Sequence, residues 1–272
     1  MFLTINDKKY HVNIVGQGSP LLFLHGFTGS TDNWLEPISS LISQYRCILI
    51  DLIGHGKSDS PEGIQNYTFD YLMKDVLLIL DKLEIDKVGL IGYSMGGRLA
   101  LALAIEFPER FTHLVLESSS PGLNEETDRQ ERMLTDESLA SFIEEEGIKK
   151  FVTYWENIPL FASQQNMPDS KKVYLHNQRL NNNPMGLANS LKGMGTGVQL
   201  PYWGSLHKLN MPVLLLCGEL DDKFCIIARK MSSLISNSTF KKINGAGHAI
   251  HMEQPEKFGR IVSGFLQSKN TT

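Results

Sequence analysis

The chain has 272 residues, 42% of them hydrophobic and 21% charged, with a formal net charge of −4. That balance belongs to a globular protein with one large core and excludes a disordered chain. With no basic tract and no apolar run near the roughly 20 residues that span a bilayer, neither nucleic acid nor membrane is an expected partner.

Met1–Ile14 mixes polar and apolar residues and carries no secretory signal pattern. Phe2–Ile5 and Tyr10–Val15, on either side of the polar Asn6-Asp7-Lys8-Lys9, predict an antiparallel hairpin at a sheet edge. Leu21–Leu24 and Cys47–Ile50 follow as short, continuous apolar runs. Such runs are the signature of strands covered on both faces. A helix is predicted over about 68–84, a strand over Val88–Ile91, a helix over about 95–107 and a strand over Leu114–Leu116. The alternation stops near Pro121 and resumes near Met211. About 80 polar, helix-rich residues are too many for a plain loop. They predict a helical cap at 121–200 inserted in a core of 1–120 and 201–272, over the carboxyl ends of the strands, where open α/β sheets bind ligands. Gly193, Gly195 and Gly197 follow no strand and do not read as a phosphate loop. Beyond the cap come a strand at Val213–Leu216, a helix over about 223–235 and a strand at Phe240–Ile243. The whole pattern predicts a parallel sheet with helices on both faces. Cys47, Cys217 and Cys225 form no metal-like cluster, and two lie in apolar runs. Buried, reduced thiols and a cytoplasmic setting are the expectation.

The chemistry centres on Gly92-Tyr93-Ser94-Met95-Gly96, placed between a strand and a helix. A serine on such a turn is held clear of the sheet with its hydroxyl presented to a pocket. It needs a histidine to take its proton and an acid to orient that histidine. Asp221 and His248 each follow a predicted strand and fall in the order Ser, Asp, His; Asp222 and His251 are their immediate competitors. A developing oxyanion needs N–H donors. Met95 supplies one, at a helix start where N–H groups have no partner. Phe27, after His25-Gly26, supplies the other, and His25 itself reads as structural.

His25-Gly26-Phe27, Asp51-Leu52-Ile53-Gly54-His55-Gly56-Lys57-Ser58, Gly92–Gly96, Gly218–Asp221 and Gly247-His248 stand in one order along the chain. Through them the chain resembles the α/β-hydrolase family. The resemblance implies an α/β-hydrolase fold with an eight-stranded, mostly parallel sheet, a Ser-His-Asp triad, and no cofactor or metal. It does not give the reaction, because this fold hosts many.

Arg98 stands four residues after Ser94, one turn along the same side of the helix, among apolar neighbours. Its guanidinium there grips a substrate carboxylate, pairs with a nearby protein carboxylate or reaches solvent. Arg129, Arg132 and Arg179 add cations from the cap; each alone is an ordinary surface residue, but several over one pocket suit a polycarboxylate. Trp155 and Phe161 are cap core or the wall of an apolar pocket. Tyr93 contributes its hydroxyl or fills space. Gly92–Arg98, Ser119–Leu123, Arg129–Arg132, Trp155–Phe161 and Cys217–Phe224 are similar to one branch of the family, the pyruvate-eliminating lyases of menaquinone biosynthesis. That likeness implies a small polycarboxylate substrate held by Arg98, Arg132 and Arg179 with Tyr93 and Trp155. The sequence leaves monomer and homodimer equally open. A hydrolase of an ester or carbon–carbon bond would share the triad without needing the arginines. A binding module on a retired hydrolase fold would not need all three triad positions filled.

Overall fold

A computed structural model describes residues 1–268. Eight strands form one sheet: β1 (Phe2–Ile5), β2 (Lys8–Val15), β3 (Ser19–Leu24), β4 (Tyr45–Ile50), β5 (Val88–Tyr93), β6 (Phe111–Glu117), β7 (Val213–Gly218) and β8 (Ser238–Ile243). Their spatial order is β1-β2-β4-β3-β5-β6-β7-β8. β2 runs antiparallel to β1 and β4, and every other neighbouring pair is parallel. The helices are α1 (Phe69–Lys82), α2 (Ser94–Glu106), α3 (Glu126–Trp155), α4 (Asp169–Leu180), α5 (Pro184–Met194), α6 (Asp222–Leu234), α7 (Ile250–Glu253) and α8 (Pro255–Gln267).

The two-residue period of a strand sends alternate side chains to opposite faces, so a strand buried on both sides feeds two cores. Leu22, Leu24, Ile48, Ile50 and Leu90 join α1 and α2 on one face. Leu21, Phe23, Leu49, Ile91 and Val115 meet Trp34, Phe258 and Val262 on the other. This explains why the central strands read as unbroken apolar runs. Truncating one such leucine to alanine costs about 2–5 kcal/mol.

The stretch between β6 and β7 carries α3, α4 and α5 and has a small core of its own, including Ala140, Ile143, Phe151, Leu187 and Leu191. α3 breaks at Gly147, whose φ of 75° lies in the left-handed region. Phe27 packs against both this core and the main one, so it sits where the insertion meets the sheet.

Two expectations are corrected. The hairpin turn is Asn6-Asp7 alone, both at positive φ (47° and 61°), and β2 already begins at Lys8. The Lys8 ammonium is buried 3.1 Å from Asp75 Oδ2, a carboxylate that also receives the Tyr10 hydroxyl, so a residue that looks like turn polarity is a paired interior charge. Cys217 and Cys225 are joined in a disulfide rather than reduced, with Cα atoms 5.4 Å apart. Between them the chain leaves β7, reverses through Gly218–Asp221 and enters α6, which returns Cys225 to the level of Cys217. Only Cys47 is a free, buried thiol. The cysteines therefore carry no argument for a reducing compartment.

Candidate active site

β5 ends at Tyr93, and α2 starts at the next residue with no loop between. A reversal that tight forces Ser94 to φ 49°, a strained conformation for a residue with a side chain. The neighbouring glycines are obligatory on contact grounds. A Cβ on Gly92 would lie 2.6 Å from the Gly96 carbonyl oxygen and the Gly97 Cα. One on Gly96 would lie 2.3 Å from the Leu24 carbonyl oxygen and 2.4 Å from that of His25.

Ser94 Oγ is 3.0 Å from His248 Nε2, and His248 Nδ1 is 2.6 Å from Asp221 Oδ2. The carboxylate can only accept, so Nδ1–H donates to it and Nε2 is left to accept from the serine hydroxyl. Asp221 is itself oriented as the residue capping α6, its Oδ1 accepting from the Phe224 N–H at 3.4 Å. The imidazole lies within a ring of aromatics, with centroids at 4.7 Å for Phe224, 5.4 Å for Tyr93 and 6.1 Å for Phe161. The competitors are placed elsewhere. Asp222 is exposed on the first turn of α6. His251 is fully buried, stacked on Trp34, with its Nδ1 on Glu117.

His25 sets the loop beside the serine. Its Nε2 accepts from the Leu52 N–H at 3.0 Å, so its Nδ1–H donates to the Gly26 carbonyl at 2.8 Å. The Gly29 N–H donates to the same carbonyl at 3.0 Å. In a trans peptide the carbonyl and the following N–H point oppositely, so fixing Gly26 O also aims the Phe27 N–H the other way. Met95 lies in the first turn of α2, where the N–H has no carbonyl four residues back.

His55 packs against both His25 and Phe27, and burial pushes its imidazole down to about 3. A base whose folded pKa is depressed stabilises the fold above its ordinary value near 6.5, and that contribution is lost as pH falls from there toward 3. The unfolding free energy should therefore decline by about 1.4 kcal/mol per pH unit from this one group. Urea unfolding between pH 4 and 6 checks it: a His55→Asn variant should show a slope shallower by about one proton, and an unchanged slope would remove His55 from the acid response.

Gly26, Phe27, Tyr93, Phe161, Gln164 and Arg179 wall a common cavity. Tyr93 is buried between His248 and His251, and desolvation, with Glu117 nearby, holds its phenol well above the usual range. Arg179 bonds Glu156 Oε1 and Gln164 Oε1, both at 3.0 Å, and lies over the Phe161 ring. Trp155 packs edge-on to Phe27 at 5.3 Å, and its indole N–H is buried without a partner among the described residues. Arg98 and Arg132 are gathered around Asp136 instead. Arg98 gives one N–H to the Met194 carbonyl at 2.6 Å and another to Gln199 Oε1 at 3.2 Å. Burial first, and the charge of Arg132 second, bring its guanidinium down to about 9. Arg132 Nε is 2.9 Å from Asp136 Oδ1, a carboxyl that burial raises against both arginines.

Four neighbours escape sequence reasoning. Glu117, Asp136, Gln164 and Glu253 look like surface polar residues, and only the fold turns them inward. A faint signal exists for Glu253 alone, an acid five residues after the histidine and so within reach of its loop.

The sequence matches the alpha/beta hydrolase fold family over residues 19–255. It is 46% identical over 269 residues, 98% of each chain, to a Bacillus subtilis (strain 168) protein named as a candidate 2-succinyl-6-hydroxy-2,4-cyclohexadiene-1-carboxylate synthase. It is 33% identical to the 2-succinyl-6-hydroxy-2,4-cyclohexadiene-1-carboxylate synthase of Citrobacter koseri, across 88% of this chain and 90% of that one. Among solved structures, MenH from S. aureus superposes with a TM-score of 0.89 at 38% identity, covering 95% of this chain and 97% of that one.

Proposed function

The chain belongs to the α/β-hydrolase fold family, and we propose that within it this protein is a lyase of menaquinone biosynthesis. It eliminates pyruvate from 2-succinyl-5-enolpyruvyl-6-hydroxy-3-cyclohexene-1-carboxylate to give 2-succinyl-6-hydroxy-2,4-cyclohexadiene-1-carboxylate. The observation that carries this reading is the 46% identity extending over 98% of the chain, inserted segment included. That segment supplies Phe161, Gln164 and Arg179 to the cavity.

The residues divide the work as follows. Asp221 holds His248 in the tautomer that accepts from Ser94. The serine oxygen, relieved of its proton by His248, removes the ring proton next to the succinyl carbonyl. Negative charge moves onto that carbonyl oxygen, where the Phe27 and Met95 N–H groups stabilise it; losing one such donor costs on the order of 3 kcal/mol in comparable sites. The electrons return through the ring double bond and expel the enolpyruvyl oxygen, and the released enolate takes up a proton to become pyruvate. No acyl-enzyme forms. Arg179 on the cavity wall holds one substrate carboxylate, and Arg98 and Arg132 turn from their contacts around Asp136 to meet the others as the cap (121–200) closes; Trp155 offers its indole N–H, and Tyr93 fills the floor. A substrate with several carboxylates does not cross a bilayer unaided, so the enzyme works where that metabolism runs, which we place in the cytoplasm.

Incubating the purified protein with the enolpyruvyl substrate and following pyruvate tests the reaction. Release no faster than the uncatalysed background, beside turnover of simple esters, would favour a hydrolase instead. For the arginines, Arg179→Ala should raise KM about 10- to 100-fold, the worth of one or two charge-assisted hydrogen bonds. An unchanged KM would take Arg179 out of substrate binding.

A further inference from the structure

The Glu253 carboxylate joins three groups that the reaction scheme leaves unconnected. Its Oε2 accepts from the Gly247 N–H at 2.7 Å. Its Oε1 accepts from the Ala249 N–H at 3.3 Å and from the Ser163 hydroxyl at 3.0 Å. Gly247 and Ala249 flank His248, so one side chain holds the peptides on both sides of the histidine. Ser163 belongs to the 3-10 run Pro159–Asn166 of the inserted segment.

The approach of that run is unusually close. A Cβ on Gly247 would stand 1.9 Å from Ser163 Oγ, so only glycine admits the contact. Phe161 of the same run presents its ring to the imidazole, and Gln164, next to Ser163, is held by Arg179. The insertion therefore touches the histidine's ring through Phe161 and its backbone through Ser163 and Glu253. Meanwhile the ring itself must satisfy two bonds at once, 2.6 Å to Asp221 and 3.0 Å to Ser94. A loop free to shift by a fraction of an ångström would break one of them, because such bonds weaken steeply with misalignment.

We propose that Glu253 is a positioning residue for the base: it registers the backbone of His248 against the inserted segment, so that the imidazole spans Asp221 and Ser94 only while that segment is seated. The inference rests on the triad reading above. It makes the insertion part of the proton relay rather than only a lid, because Arg179, Gln164, Ser163 and Glu253 form one physical chain from the carboxylate grip to the histidine loop.

Glu253→Ala should lower kcat about 100-fold with KM within about threefold, the split expected when an interaction of the transition state alone is lost. Glu253→Gln keeps a carbonyl acceptor for one flanking N–H but turns an NH2 donor toward the other, and should recover part of that loss. Ser163→Ala cuts only the tether to the insertion and should lower kcat by about 5- to 10-fold, with unfolding temperature unchanged. A spectroscopic readout needs no turnover: the downfield proton signal of His248 Nδ1–H bonded to Asp221 should shift or broaden in Glu253→Ala and return part of the way in Glu253→Gln. Either a Glu253→Ala enzyme with kcat within twofold of the parent, or an unmoved downfield signal, overturns the proposal. So does equal loss of kcat and thermal stability that glutamine fails to rescue, together with a neutral Ser163→Ala. A failure of the triad reading is separate, because it shows as pyruvate release that survives Ser94→Ala whatever Glu253 does.

Discussion

Replacing Ser94 with alanine is expected to lower kcat for pyruvate elimination by at least about 1,000-fold while leaving the fold and KM nearly intact. The oxygen removed is the atom 3.0 Å from His248 Nε2, and in the proposed reaction it takes the ring proton. General base catalysis is worth roughly 100- to 10,000-fold, and the upper part of that range applies when no other group stands at the same place. Alanine suits the test because the backbone strain at this position belongs to any residue with a Cβ. The φ of 49° costs serine and alanine alike, so stability should scarcely move. In the proposed reaction other groups hold the substrate carboxylates, which is why KM should stay. Coupling released pyruvate to a reporter dehydrogenase gives the rate, and a thermal melt gives the control. Activity within tenfold of the parent enzyme would mean that some other group takes the proton.

Gly96→Ala should be strongly destabilising for a single added methyl group. The added carbon would sit 2.3 Å from one backbone carbonyl oxygen and 2.4 Å from the next, those of Leu24 and His25. Neither atom is the flexible end of a side chain. Leu24 ends β3, which is paired to β5 with Leu24 opposite Gly92, and His25 follows it directly. Relief requires parting those strands or lifting α2 off them, and overpacking of this kind costs about 3 kcal/mol. A chain of this size should lose on the order of 10 °C in Tm. Activity should fall further than stability alone explains, since the displaced segment leads into His25, Gly26 and Phe27 and sets the direction of the Phe27 N–H. Gly264→Ala is the matched control. It lies in α8 with nothing among the described residues within 4 Å of the added carbon, so it should be neutral or stabilising by up to about 1 kcal/mol. A Gly96→Ala protein that melts within 2 °C of its parent would show that the elbow is looser than these contacts require.

The strand runs, the elbow and the chain order of Ser94, Asp221 and His248 were legible because each is a local pattern. Continuous apolar runs follow from burial on both faces. A Gly-x-Ser-x-Gly string between a strand and a helix follows from a turn too tight for side chains. The choice of His248 over His251 and Asp221 over Asp222 could be ordered but not decided locally. Each pair differs by where the backbone points the side chain, and His251 turns out to be committed to Glu117 beneath Trp34. The arginines divide in the same way. Their number and sign could be counted along the chain, whereas the collection of Arg98 and Arg132 around Asp136, apart from Arg179, depends on how α3 and α5 lie over the sheet.

By itself, then, the chain determined its architecture and the serine at its strand–helix turn, since periodicity and steric demand act over a few residues and leave their mark in composition. The tertiary structure alone decided the pairings: the disulfide between Cys217 and Cys225, the buried Lys8–Asp75 contact, and the carboxylate of Glu253 linking the histidine loop to Ser163. Such pairings join groups whose separation in space has no fixed relation to their separation in sequence. A polar residue carries the same letter whether water or a buried partner completes its hydrogen bonds.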